Sequence, residues 1–132
     1  MAELQRRDFL RVIALGSAGF AIGVDLHAAD APVAGAGFGD FVRIGADDTV
    51  TVVIKHLDKG QGVTTGLTTI VAEELDADWA QMRWEFAPAD ATRYNNLNWG
   101  PVQGTGGSSS IANSWTQLRR AGAAARAMLL AA

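Results

Sequence analysis

Gly60-Gln61-Gly62 lies between a strand-forming run and a helix-forming one. Glycines at such a turn let the backbone approach a ligand, and the helix start offers unpaired N–H groups to an anion. Gln61 adds a carbonyl acceptor and an amide with two donors, suited to a heterocycle edge or a phosphate. For the triplet alone, a glycine turn with no ligand is the competing reading. A second group, Gln103-Gly104-Thr105-Gly106-Gly107-Ser108-Ser109-Ser110, stands at the entrance to the last helix. Its hydroxyls and free amides gather at the positive end of a helix dipole, which makes a phosphate cradle by donor count. One serine, Ser108 or Ser109, would cap the helix for about 1 kcal/mol. The serine run behind two glycines exceeds that need. No lysine follows in the Walker position, which disfavours a P-loop nucleotide site.

Other reactive residues are few. The chain has no cysteine, which excludes a disulfide scaffold, a Cys-ligated zinc site, a Cys-held iron–sulfur cluster and a thiol nucleophile. Two histidines cannot make a His-rich metal site. His56 reads as a strand-end packing or surface residue. Glu73, Glu74 and Asp76 read as a solvated face and a complement to the helix dipole. Arg119, Arg120 and Arg126 read as the exposed side of the last helix. Trp79, Trp84, Trp99 and Trp115 read as core or interface residues. A net charge of −3 with no obvious basic face gives no support to nucleic-acid binding.

The elements that position these groups follow from pattern. Phe41-Val42-Arg43-Ile44 and Thr49-Val50-Thr51-Val52-Val53-Ile54 are β-branched runs joined by Gly45-Ala46-Asp47-Asp48, which predicts a β-hairpin. Val63, Leu67, Ile70, Val71 and Leu75 fall at helical spacing, with Thr64 or Thr65 as the expected cap. Met82-Arg83-Trp84-Glu85-Phe86-Ala87 alternates and predicts a third strand. Residues 108–132 predict a helix with Ile111, Trp115, Leu118, Gly122, Ala125 and Leu129 on its apolar face. The order ββαβα is an α+β layered unit. Residues 88–105 form a long loop whose Tyr94, Trp99 and asparagines set it apart from a disordered linker.

The first residues read as targeting. Arg6-Arg7-Asp8-Phe9-Leu10-Arg11 precedes an uncharged run over residues 12–24, shorter than the ~20 residues a spanning helix needs. Small residues follow, and the three-part layout is that of a signal peptide of the twin-arginine type over residues 1–29. Cleavage after Ala29, Ala31 or Ala36 is consistent with it. Residues 30–40 read as a linker of small residues and turn formers, leaving 41–132 as the folded unit.

Taken together, Gly60-Gln61-Gly62, Val71-Ala72-Glu73-Glu74-Leu75-Asp76, Tyr94-Asn95-Asn96, Trp99-Gly100 and Gln103-Gly104-Thr105-Gly106-Gly107-Ser108 resemble the start of a molybdenum hydroxylase large subunit. The branch resembled is the molybdopterin-binding beta subunit of isoquinoline 1-oxidoreductase-type enzymes and related membrane-associated aldehyde dehydrogenases, within the xanthine oxidase family. The resemblance implies that molybdopterin cytosine dinucleotide is held by Gly60, Gln61, Gly62, Thr105, Gly106, Gly107, Ser108 and Ser110. It implies hydroxylation of N-heterocycles or oxidation of aldehydes with oxygen from water. It also implies a separate [2Fe–2S] small subunit and, in many members, a cytochrome c as a further electron carrier; with the twin-arginine leader the expected location is the periplasm or the periplasmic face of the inner membrane. The family's catalytic glutamate lies near its far C-terminus, so the expectation is an N-terminal fragment of a partial molybdopterin-binding domain, inactive alone. The alternatives are a small exported binding or assembly module without catalysis, and a nucleotide site at the last helix start.

Overall fold

The computed structural model describes residues 38–131. The signal reading at 1–29 falls outside the described residues, as does most of the 30–40 linker. The last three linker residues, Phe38–Asp40, form a 3-10 turn that leads directly into the sheet.

Two strands, β1 (Val42–Ile44) and β2 (Val50–Ile54), make the expected hairpin. They pair antiparallel, with Val42 opposite Val52 and Ile44 opposite Val50. Asp47 closes the turn, its carboxylate accepting from the Thr49 amide and hydroxyl at 3.2 and 2.7 Å. Helix α1 (Val63–Leu75) then crosses over, and β3 (Met82–Phe86) returns parallel to β2, with Val50 opposite Met82 and Ile54 opposite Phe86. The sheet order is β1-β2-β3, so β2 is central. A parallel return needs a long connection, and α1 supplies it. The resulting α+β unit has the predicted ββαβα order, closed by helix α2 (Ser110–Ala131).

The core joins the sheet to α1 and α2 through Phe41, Val52, Val53, Ile54, Leu67, Val71, Leu118 and Ala125, all buried. Asp76 ends α1 in a left-handed conformation at φ 61°, and Asp78 caps the short Trp79–Gln81 turn by accepting from the Ala80 amide at 2.9 Å. Three expectations need correction. Helix α2 begins at Ser110, two residues later than expected, because Gly107 and Ser108 take positive φ values of 60° and 54°. Its buried face is Asn113, Ser114, Leu118, Ala121, Gly122 and Ala125, while Ile111, Trp115 and Leu129 are exposed. Of the core-or-interface reading of Trp79, Trp84, Trp99 and Trp115 only the core half fails, since all four are exposed.

The acidic residues of α1 also differ from expectation. Glu73 and Glu74 sit in its last turn and Asp76 at its C-cap, where the dipole is negative and disfavours them. Arg119 and Arg126 of α2 answer this instead: Arg119 pairs with Glu74, and Arg126 with Asp76 at 3.1 Å.

Candidate functional site

Both glycine loops leave the same end of the molecule, at the end of β2 and the start of α2. Thr105 joins them, since its hydroxyl accepts a 2.7 Å hydrogen bond from the Leu57 amide. The first loop is shaped by a residue the sequence reading passed over. The Asp58 carboxylate accepts from the amides of Gly60 at 2.8 Å, Gly62 at 3.3 Å and Thr64 at 3.1 Å, and from the Thr64 hydroxyl at 2.8 Å. These four donors hold its carboxyl down at about 2. Asp58, and not Thr64 or Thr65, therefore satisfies the start of α1. An aspartate two residues before a glycine is an Asx-turn signal that could have pointed to it.

Gly60 and Gly62 have φ values of 96° and 76°, and a side chain at either would meet no atom of the protein within 4 Å. They are glycines for backbone conformation, and their outward side is open. Gln61 is exposed, but its side chain folds back on its own loop. Its Nε2 donates to the Leu57 carbonyl at 2.8 Å, and its Oε1 accepts from the Lys59 amide. One N–H and one lone pair of the amide stay available.

In the second loop the glycines divide by cause. A side chain on Gly104 or Gly106 would strike the Trp99 ring, at 2.6 and 3.0 Å, so these two are accounted for by packing. Gly107 and Ser108 face open space or solvent with positive φ. Ser109 is buried and turned inward: its hydroxyl donates to the Gly106 carbonyl at 2.7 Å and accepts from Asn96 at 3.0 Å. Ser110 begins α2. The amides of Thr105, Gly106, Gly107 and Ser108 make no hydrogen bond among the described residues. They stand just before the N-terminus of a long helix, where donors and dipole favour an anion.

The 88–105 loop holds this second cradle in place. Gln103 pins its two ends, accepting from the Asp90 amide and donating to the Pro88 carbonyl, both at 3.1 Å. Tyr94 is buried edge-on against Phe41, and its hydroxyl donates to the Asp40 carbonyl at 3.0 Å. Burial raises its phenol above the ordinary value. Beneath the loops lie two buried basic residues. Lys55 donates to Gln117 at 2.8 Å, and burial pushes its ammonium down to about 8. His56 is fully buried, its ring nitrogens against Gly104 and Asn113, which puts it inside the strand end and not on the surface. No cluster of three or more metal-ligating side chains occurs among the described residues. No helix among them is long and apolar enough to cross a membrane.

So the structure brings Thr105 onto the first loop and leaves the amides of 105–108 open, but fills the start of α1 with Asp58. Of the two cradles, the second is the one whose open amides have no carboxylate bonded among them.

A family model for the molybdopterin cofactor-binding domain matches residues 2–132. The chain is 43% identical over 91 residues to the isoquinoline 1-oxidoreductase subunit beta of Brevundimonas diminuta, covering 68% of this chain and 12% of that protein. It is 36% identical over 87 residues to the membrane-bound aldehyde dehydrogenase (pyrroloquinoline-quinone) of Gluconacetobacter polyoxogenes, covering 66% of this chain and 10% of that protein. The chain thus spans about a tenth of the length of these relatives. With a match that takes in both glycine loops and both helices, the chain belongs to the molybdopterin cofactor-binding domain family.

Proposed function

We propose that this chain supplies part of the pocket for molybdopterin cytosine dinucleotide in the large subunit of an exported molybdenum hydroxylase. The observation that carries the reading is the row of unpaired amides at Thr105, Gly106, Gly107 and Ser108, tied to the first glycine loop by the Leu57–Thr105 bond. These residues fit a cofactor with phosphate groups, because they offer backbone N–H donors at a helix N-terminus without a protein carboxylate in the way. Ser110, the first residue of α2, lies two positions beyond this donor set. Gly60 and Gly62 leave an open backbone edge beside it, and Gln61 presents its remaining amide donor and acceptor from there.

The bound cofactor would carry the redox chemistry, with oxygen from water. The chain's own part is to bind and orient. The 105–108 amides hold negative charge, the Asp58-built turn sets the height of Gln61, and Trp99 keeps the second loop flat against the body. Asp58 does not compete for the anion on the second loop, since its donors all lie in residues 60–64. The substrate class is aldehydes or N-heterocycles, following the names of the two relatives. Electrons leave to a [2Fe–2S] small subunit and a cytochrome c, clusters that a cysteine-free chain cannot hold itself. The twin-arginine leader at 1–29 sends the protein to the periplasm.

The test is metal and nucleotide analysis of the large subunit carrying this chain, purified from a host that makes the cofactor. Equimolar molybdenum and cytidine monophosphate after mild hydrolysis are expected. Molybdenum with a guanine nucleotide, or neither component, would overturn the cytosine dinucleotide assignment.

A further inference from the structure

His56 follows the end of β2, and its ring is closed off from solvent. Its Nδ1 lies 3.0 Å from the Gly104 carbonyl oxygen, and its Nε2 lies 3.2 Å from Oδ1 of Asn113. The orientation of the amides around it is set by the backbone. The Asn98 N–H donates to Oδ1 of Asn96 at 3.1 Å, which turns Nδ2 of Asn96 toward the Gly104 carbonyl at 3.2 Å and Ser109 Oγ at 3.0 Å. The same Asn96 Oδ1 accepts from Nδ2 of Asn113 at 2.8 Å, and this leaves Oδ1 of Asn113 facing the histidine. Reversing Asn113 would set its oxygen against that of Asn96. Reversing Asn96 would set its NH2 against the Asn98 N–H.

Both ring nitrogens therefore face oxygens that have no proton to give. A neutral imidazole carries one N–H and can satisfy only one of them. The geometry points to His56 as a positioning residue with one proton for two acceptors, so that its tautomer and protonation state decide whether the end of β2 holds the Gly104 carbonyl, Asn113 of α2 or both, while the Leu57–Thr105 bond ties the 103–108 loop to the strand end in every state. With the proton on Nδ1, the Gly104 carbonyl is held and the ring's hydrogen bond to Asn113 is lost. With the proton on Nε2, Asn113 is held and the Gly104 carbonyl keeps only Asn96. The doubly protonated ring holds both. That this loop carries phosphate rests on the function proposed above; the joint itself does not.

The surroundings fix the direction. The loop presents the Gly104 carbonyl, and α2 presents Asn113 and the positive end of its dipole. The charged group acting on the ring is Lys55, from the same strand end. Burial lowers the ring below the ordinary 6.5 and Lys55 adds to this, against the two hydrogen bonds, which raise it. Near neutral pH the ring is thus neutral and one proton short, and it gains the second proton only below the ordinary histidine range.

The test uses the uniformly 15N-labelled 132-residue chain carrying W84S/F86S, which removes the exposed aromatic pair of β3 and with it the self-association that would broaden signals, the H27Q substitution serving to assign His56. At about pH 7.5 both ring nitrogens are expected at intermediate shifts, with the Gly104 and Thr105 amides broadened by exchange. On acidification through and below the ordinary histidine range both nitrogens should move to the protonated value and the broadening should vanish. A single fixed tautomer at neutral pH with sharp Gly104 and Thr105 amides would overturn the proposal. So would titration at the value of an exposed histidine. No cofactor is in the sample, so failure of the pocket reading leaves this result unchanged.

Discussion

Asp58 binds its four donors through a carboxyl held at about 2, against an ordinary value of 3.8. A carboxyl with a lowered folded-state value stabilises the fold above its unfolded value and loses that contribution as pH falls through the folded one. D58N is therefore expected to lower the urea midpoint at neutral pH, with the difference from the parent chain closing between about pH 4 and pH 2. A gap that is constant across this range would show that the charge on Asp58 contributes nothing. At Gly62 the φ of 76° sets a different cost. G62A should lose about 1 kcal/mol from the left-handed backbone alone, because open space leaves no clash to add. Equal denaturant midpoints for G62A and the parent would sink this account. The Gly60-Gln61-Gly62 turn was legible in sequence because positive φ is a local property that glycine advertises. His56 was not, because its partners are 48 and 57 residues away and only the folded chain shows that they close over it. The second cradle was legible as a donor cluster. What sequence could not separate was Gly104 and Gly106, required by the Trp99 ring, from Gly107, required by its own φ.

Hairpin, crossover helix and third strand all follow from apolar periodicity, and the structure places them where the pattern does. The face of α2 does not follow. Of the expected face, Leu118, Gly122 and Ala125 are buried but Ile111, Trp115 and Leu129 are exposed, and Asn113, Ser114 and Ala121 complete the buried side. The reason is close helix–helix approach: a side chain on Gly122 would come within 2.8 Å of Glu74 Cβ and 3.0 Å of the Val71 carbonyl oxygen. Small residues are needed where the backbones meet, and large apolar ones are displaced to the flanks. G122A tests this, because two effects oppose each other. Alanine gains about 1 kcal/mol of helix propensity over glycine, while overpacking costs about 1–3 kcal/mol. The contact is with the α1 backbone, which cannot yield as a flexible side chain would, so the net expectation is a loss of about 1 kcal/mol. A lower thermal midpoint checks it; a higher one would mean that α2 shifts along α1 freely. The Arg119–Glu74 and Arg126–Asp76 pairs are exposed on the Arg side and contribute little beyond alignment of the two helices.

The whole described molecule buries one core yet leaves large apolar side chains on several sides. Trp84 and Phe86 stand together on the outer strand β3, ring centroids 5.2 Å apart, and are 49% and 42% exposed. Trp79 lies exposed just before that strand, and Leu57, Trp99, Val102, Ile111 and Trp115 are exposed on the loops and α2. Single exposed apolar residues are ordinary, but paired aromatics on an outer strand are what another chain or segment covers. In a subunit of the relatives' length, most of the chain lies beyond the part matched here, and it is available to cover them. The 132-residue chain by itself is therefore expected to self-associate. The double substitution W84S/F86S should shift it toward monomer in sedimentation velocity without changing its far-ultraviolet dichroism, since neither side chain belongs to the core. The two competing readings of the chain part here. Self-association relieved by W84S/F86S supports a unit that packs within a larger subunit. A parent chain that is monomeric and unfolds cooperatively would instead support a free-standing exported module, and would count against the multi-subunit oxidoreductase proposed above.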